Sequence, residues 1–342
     1  MKDHTFRLVG DFPLALLFSF VFFALGAGAY SVSAAERFTV ANSGLNIYGA
    51  VLWLGQDKGF FRKYGLDVEI IYIPSGTQAM QALLSGDVKA AIAAGSAATS
   101  AKLRGAPVKI IAGVANYYPL SFFSTPDIKH PRDLRGKKVA VTRFGSSSHF
   151  VTVVLLREFG LEEGKDYTIL QLGTTQNRFI ALTKGMIQGT TLPAPESAVA
   201  RNAGMNVLIS MSDMKKTGIT FLHNGLIVSE LALRDSRPLV LAFLKAYLEG
   251  VREVYRNKEA SMQVLGRYTR ISDRKVLSAA YDETYESVDK EGAIIDKGIE
   301  AILGELGKTD PKAFKAKAAQ FYDRTLLQEL SKEGFIKALW AD

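Results

Sequence analysis

At 342 residues, 48% hydrophobic and 22% charged, the chain has apolar mass for two ordinary domains and too balanced a mixture for a disordered or fibrous protein. It holds no cysteine, which excludes thiol catalysis, zinc–thiolate sites and disulfides. Its formal charge of +8 favours anionic partners, yet the basic residues are dispersed and the densest run, Arg135-Gly136-Lys137-Lys138, is a short turn before a strand, so nucleic-acid binding is not expected.

The N-terminal 35 residues stand apart. Lys2 and Arg7 precede an apolar run from Phe12 to about Ala29, and Ser31-Val32-Ser33-Ala34-Ala35 follows. A basic start, an apolar middle and a small-residue exit describe a cleaved secretory signal peptide over residues 1–35. The run also nears the lower length of a membrane span, so a retained anchor is the alternative. Lys2 and Arg7 cancel Asp3 and Asp11, so cleavage leaves the charge at +8. Without cysteine the protein cannot be a lipoprotein, and export points to a free periplasmic protein.

Phe38-Thr39-Val40-Ala41 reads as a buried strand. Asn46 can cap a helix whose Ile47, Ala50, Val51 and Leu54 share one face, which Lys58 to Lys63 finish and Gly65 stops. Residues 67–73 alternate toward a strand. Pro74-Ser75-Gly76 turns into a helix over 77–85, where Ser75 and Gln78 have capping-box spacing. A strand over 88–93, a helix over 96–104 and a strand over 108–115 follow.

The same order then returns. Strands are expected over 139–142, 168–172, 187–191 and 207–209, with helices beginning near Ser146, Thr175 and Pro195. Phe159-Gly160-Leu161 ends a helix as Tyr64-Gly65-Leu66 does. Leu83, Gly86, Ala101, Gly105 and Val108 recur without a gap as Leu182, Gly185, Ala200, Gly204 and Val207. Most shared positions are helix stops, which fits either duplication or the ordinary punctuation of α/β chains. The alternation implies parallel sheets with helices on both faces. Residues 120–124 and 220–229, extended and apolar, read as strands crossing between two lobes. From Pro238 to Trp340 the pattern is almost wholly helical, with breaks near Arg270, Gly292 and Thr309-Asp310-Pro311, and this tail is expected to pack on the first lobe.

Ligands of parallel sheets sit beyond the carboxyl ends of the strands, where turns enter helices. Five such turns are small and polar: Asn42-Ser43-Gly44, Ser75-Gly76-Thr77, Gly95-Ser96, Gly145-Ser146-Ser147-Ser148 and Gly173-Thr174-Thr175. Each offers free N–H groups, a hydroxyl and a helix dipole worth about 0.3–1 kcal/mol to an anion. Each also reads as an ordinary N-cap. Tyr48, Tyr117 and Tyr118 offer rings and hydroxyls and Asn116 a polar fork, or else core packing. Arg143 follows a strand and suits a carboxylate or sulfonate, or is an exposed rim residue. His149 lies three residues after Ser146, but no orienting acid or oxyanion site accompanies them, so a hydrolase is not expected. His130, His149 and His223 lack metal-ligand spacing, and there is no P-loop or dinucleotide fingerprint, so neither a metal nor a cofactor is expected.

Several ordered motifs carry a resemblance. They are Trp53-Leu54-Gly55-Gln56-Asp57-Lys58-Gly59-Phe60-Phe61, Tyr64-Gly65-Leu66-Asp67-Val68, Gly76-Thr77, Leu84-Ser85-Gly86-Asp87-Val88, Asp133-Leu134-Arg135-Gly136-Lys137-Lys138-Val139-Ala140-Val141, Phe321-Tyr322-Asp323 and Gly334-Phe335. As an ordered set across the mature chain, they resemble the nitrate/sulfonate/taurine-type substrate-binding proteins of ABC importers, which share their domain with thiamine-pyrimidine precursor binders and synthases. The resemblance implies an α/β type II periplasmic-binding-protein fold, with two doubly wound lobes joined by two crossing strands and a helical C-terminal extension. Lobe 1 is then residues 36–122 plus 225–342, and lobe 2 residues 123–224. Family contacts fall on Ser43, Gly44, Ser75, Gly76, Gly95, Ser96, Gly145 and Ser146. Tyr48, Thr77, Asn116, Arg143, Ser147 and Thr174, at or near the same strand ends, complete the expected ligand site.

The implied function is capture of a small, anionic organic solute and its delivery to an ABC permease and its ATPase. The protein would be a monomer, no enzyme, and would meet the membrane only through the permease. The alternatives are a ligand sensor feeding a receptor and a pyrimidine-precursor binder or synthase. Lys89 stands where the family commonly has an acidic residue, and a chain without cysteine lacks the cysteine-rich motif of the synthase branch.

Overall fold

The computed structural model describes residues 35–210 and 220–341, so the expected signal segment, but for Ala35, lies outside the described residues. Alternating apolar residues form the first strand, β1 (Glu36–Asn42), with Phe38, Val40 and Ala41 buried. Asn46 caps α1 (Ile47–Asp57) by accepting a hydrogen bond from the Tyr48 N–H at 3.1 Å. The helix ends at Asp57, because Gly59 adopts a left-handed φ of 74° and the chain restarts as a single helical turn, α2 (Phe60–Lys63). Lys58 to Lys63 therefore do not extend α1, as the sequence pattern suggests.

The first unit continues through β2 (Leu66–Tyr72), α3 (Gly76–Ser85), β3 (Ala90–Ala94), α4 (Gly95–Leu103) and β4 (Val108–Ala115). After β5 (Leu120–Ser124), the second unit runs β6 (Lys137–Val141), α5 (Ser147–Arg157), β7 (Tyr167–Gln171), α6 (Thr175–Thr183), β8 (Gly189–Pro193), α7 (Glu196–Asn202) and β9 (Asn206–Ile209). β10 (Asn224–Ser229) follows. The two five-stranded sheets have the orders β2-β1-β3-β10-β4 and β7-β6-β8-β5-β9, one topology stated twice.

Neither sheet is wholly parallel, contrary to what the alternation implies. β10 runs antiparallel between β3 and β4, and β5 runs antiparallel between β8 and β9. Connectivity is the reason. The two extended segments do cross between lobes, but each ends as a strand of the sheet it enters. It arrives from the opposite lobe and so runs against its neighbours. The crossings lie side by side: the Phe221 N–H donates to the Asn116 carbonyl at 3.2 Å and the His223 N–H to the Ala115 carbonyl at 2.8 Å.

The remaining chain is helical: α8 (Glu230–Asp235), α9 (Arg237–Arg256), α10 (Lys258–Thr269), α11 (Arg274–Thr284), α12 (Asp296–Leu306), α13 (Lys312–Lys315), α14 (Thr325–Lys332) and α15 (Phe335–Leu339). α9 buries Val240, Phe243, Leu244, Tyr247 and Val251 in the core shared with α1 and β1. Phe243 stacks on Phe38 with ring centroids 4.6 Å apart, and Tyr268 of α10 stacks on Trp53 at 4.0 Å. Each such side chain contributes roughly 1.5–3 kcal/mol by leaving water. Gly250 lets α9 approach α1 closely, since a Cβ there would lie 2.5 Å from the Val51 carbonyl oxygen. The helical extension thus completes the core behind the first sheet, while α12 packs on α4. No helix among the described residues is long and apolar enough to cross a membrane.

Candidate functional site

Four helices begin around one cavity between the sheets. Asn46 before α1 and Ser75 before α3 come from the first lobe; Ser146 before α5 and Thr175 of α6 come from the second. Their free N–H groups and dipoles make the space electropositive. The cavity measures ≈ 80 Å³ in this closed arrangement. That is several times the roughly 10–15 Å³ a cavity needs to admit one water.

The lobes meet around it. Thr77 Oγ1 donates to the Phe144 carbonyl at 3.2 Å, and Ser147 Oγ lies 3.0 Å from His223 Nδ1. Farther out, Arg157 of α5 pairs with Glu305 of α12, and Arg201 of α7 pairs with Glu283 of α11 at 3.1 Å.

Of the expected contacts, Ser43, Gly44, Ser75, Gly76, Ser146 and Ser147 line this cavity. The others lie elsewhere. The Tyr48 hydroxyl is buried in the first lobe against Ser287 Oγ at 2.8 Å. Gly95 packs on the crossing segment, where a Cβ would stand 2.3 Å from the Leu222 carbonyl oxygen. Asn116 Nδ2 donates to Asp289 and to the Ala293 carbonyl, both at 2.9 Å. Ser96 and Gly145 line a separate groove between α4, α5 and α12. Arg143 is exposed, Thr77 is taken up by Phe144, and Thr174 caps α6 by accepting from the Asn177 N–H at 3.2 Å.

Several of the serines act as turn builders. Ser146 Oγ caps α5, and Ser148 Oγ accepts from the Thr142 N–H at 2.8 Å. Ser75 differs. It occupies the N-cap position of α3, but its side chain makes no capping bond, so the expected capping box with Gln78 does not form. Its Oγ is buried and without a partner.

Two further residues that line the same cavity carry an unpartnered buried atom, Arg178 at Nε and Thr191 at Oγ1. Buried polar atoms left unsatisfied cost about 1–3 kcal/mol each, so three on residues lining one cavity need an explanation. Arg178, in α6, is 3% exposed. Its Nη1 donates to Thr190 Oγ1 at 2.8 Å and to the Thr191 carbonyl, and its Nη2 to Thr175 Oγ1 at 3.3 Å. No carboxylate among the described residues pairs with it. Burial pulls its pKa down to about 10, with Glu196 and Tyr72 opposing, so it stays a cation.

Glu196, the first residue of α7, is 6% exposed and lines the cavity too. Burial raises its carboxyl to about 7, against the opposing pull of its own backbone N–H and of Arg178. Tyr72 is pushed up to about 12, by burial first and Glu196 second. His223 is held neutral, its pKa driven down to about 3 by burial, with its ring edge-on to Tyr118 at 5.1 Å.

The cavity thus combines a buried cation, a buried carboxyl group and unpartnered hydroxyls. His149, the histidine near Ser146, is held by the Gly145 N–H at Nδ1 (3.1 Å) and by Glu163 at Nε2 (3.2 Å), away from the serine hydroxyl. Among the described residues no carboxylate is bonded to the imidazole of the Ser147–His223 pair. Among the described residues no three His, Asp or Glu side chains are arranged to hold a metal.

Arg178, Thr191, Glu196 and His223 are not among the ligand residues expected from the sequence. One signal was present: Arg178 stands four residues before Leu182, on the face of α6 that Ala181 and Leu182 bury. A charge in an apolar register is a reason to look.

Two lobes of one repeated topology, crossed twice and enclosing a polar cavity at the helix N-termini, define the periplasmic-binding-protein fold. Residues 46–261 match the NMT1/THI5-like family, and the chain belongs to it. It is 25% identical over 236 residues to the riboflavin-binding protein RibY of Chloroflexus aurantiacus, covering 67% of this chain and 65% of that protein. It is 24% identical over 195 residues to the putative binding protein YtlA of Bacillus subtilis, covering 56% and 58%. The chain thus spans less than two thirds of the length of either curated relative.

Among solved structures, a Bordetella bronchiseptica RB50 protein superposes with a TM-score of 0.79 at 21% identity, over 87% of this chain and 98% of that one. The alkanesulfonate-binding protein SsuA of Xanthomonas axonopodis pv. citri, bound to MOPS, gives 0.69 at 18%, over 85% and 100%. The periplasmic nitrate-binding protein NrtA of Synechocystis PCC 6803 gives 0.65 at 15%, over 87% and 89%. At these identities the likeness speaks for the fold.

Proposed function

We propose that this protein is the solute-binding component of an ABC importer, exported to the periplasm by its N-terminal signal segment and capturing a small organic anion between its lobes. The observation that carries this reading is Arg178, a buried cation with no carboxylate within ion-pair distance among the described residues, which lines the cavity with an unpartnered Nε beside Ser75 and Thr191, whose hydroxyls are unpartnered too. An anion supplies the missing charge and acceptors, and the four helix N-termini add to its hold. The solute-binding neighbours agree with this role, in which no bond is made or broken. Hinge closure about the paired crossings would present both lobes to a permease and its ATPase. The ligand contacts are assigned to Ser43, Gly44, Ser75, Gly76, Ser146 and Ser147, joined by Arg178 and Thr191.

A thermal-shift panel of nitrate, alkyl and aryl sulfonates, aromatic carboxylates, pyrimidine precursors and riboflavin tests this. A ligand at a hundred times its Kd stabilises by about 2.7 kcal/mol, which a melting curve resolves. Shifts with anions that disappear in Ser146→Trp, at an unchanged melting point without ligand, support the reading. A shift with riboflavin or a neutral pyrimidine and with no anion overturns the anion assignment. A receptor domain binding the loaded protein in place of a permease favours the sensor alternative.

A further inference from the structure

The cavity that presents Arg178 also presents a carboxyl group, and the two are not paired. Glu196 is buried, it lines the cavity, and its carboxyl meets only its own backbone N–H, with no cation within ion-pair distance among the described residues. Arg178 is near enough to act on it through space. If Glu196 stayed ionised, an incoming anion would share a dry, small cavity with a second negative charge, an arrangement that drives one partner to bind a proton.

We propose that Glu196 takes up a proton from solvent as the anionic solute enters and donates the resulting O–H to it, so that capture is coupled to protonation. The inference rests on the anion reading given above and adds the regulation of that site. On binding, the carboxylate becomes a carboxylic acid, Arg178 balances the solute's charge, and the acid's O–H bonds a solute oxygen. The cavity then holds one cation and one anion.

The surroundings of Glu196 leave that carboxyl as the group that changes charge near neutrality. From α6, Arg178 faces it and remains a cation; from β2, the Tyr72 hydroxyl does so and remains neutral. β5 and β8 contribute no charged side chain. From α11, Glu283 is held by Arg201 and Ser197, Arg274 by Glu259, and Asp282 by Lys258. His223, in the same cavity, is neutral throughout this range. The free carboxyl, already raised to about 7 by burial, needs only the solute's charge to rise further.

The sign follows from linkage. A group whose pKa rises on binding favours binding below its free value, and affinity falls as pH climbs from the free value toward the bound one. The probes are nitrate, ethanesulfonate and benzenesulfonate, which do not titrate between pH 6 and 9, so any pH dependence belongs to the protein. Calorimetry on the wild-type protein should show affinity falling above pH 7 by up to about tenfold per unit, with up to about one proton taken up per solute in buffers of different ionisation enthalpy.

Glu196→Gln keeps a donor without the charge. It should flatten the profile and bind more tightly than wild type at pH 8.5. An anion that binds with a flat pH profile and no proton uptake overturns this inference while leaving the anion reading intact. An affinity for these anions that rises with pH, or that is weaker in Glu196→Gln than in wild type at pH 8.5, also overturns it. If none of these probes and no aromatic carboxylate binds at pH 6, both this inference and the anion reading fall.

Discussion

The two lobes use equivalent positions for opposite purposes. At the interval that relates Leu83 to Leu182 and Ala101 to Ala200, Ala79 of α3 corresponds to Arg178 of α6, and Ala97 of α4 to Glu196 of α7. In the first lobe both positions are buried alanines in the apolar core. In the second they are a buried cation and a buried carboxyl facing the cavity. Repeated strands, stops and turns build both lobes, and the second lobe places two charged groups where the first buries alanine. The first lobe contributes helix ends and the unpartnered hydroxyl of Ser75 instead.

The comparison breaks most sharply if the charge is moved. Ala79→Arg would place a cation in a core with no acceptor or carboxylate prepared for it, and urea unfolding should show a loss of about 3–5 kcal/mol. Arg178→Met should do the reverse: stability unchanged or improved by about 1–4 kcal/mol, because a buried charge is removed, while anion affinity falls on the order of a hundredfold or more by calorimetry. A variant that unfolds like Ala79→Arg would show that Arg178 is a structural residue and not a ligand contact.

His223 sharpens the contrast between the cavity and the crossings that frame it. Its pKa is depressed from 6.5 to about 3, so the stability it contributes is fully present above 6.5 and is lost as pH falls toward 3. Linkage puts the loss at about 2 kcal/mol at pH 5, and His223→Asn should remove that part of the acid limb in denaturant titrations. The smallest effect belongs to Ser75→Ala. It removes an unsatisfied buried hydroxyl, so stability should hold or rise by up to about 1 kcal/mol, while anion affinity drops about fivefold. An affinity left unchanged would mean that this hydroxyl points at the solute without bonding it.

Local signals carried much of the architecture. Asn46 caps its helix as its side-chain chemistry predicts, Gly65 and Gly160 stand where helices stop, and the alternation of short strands with amphipathic helices marks a two-lobed α/β chain. Those features depend on a few neighbouring residues, so they survive in the sequence. Strand direction did not, because β5 and β10 run antiparallel through the path of the chain between lobes and not through any property of Leu120–Ser124 or Asn224–Ser229.

By itself the sequence determined where the chain turns, which segments are strands and helices, that one plan occurs twice, and that small polar turns gather at helix starts. Tertiary structure alone decided which of those turns share a cavity. Ser75 and Ser146 look alike in sequence, but the Ser146 hydroxyl caps its own helix while the Ser75 hydroxyl is buried without a partner. It also decided that Arg178 and Glu196, eighteen positions apart on different helices, border the same small space. Burial and the absence of a partner are properties of what packs around a side chain, and that depends on residues far away along the chain.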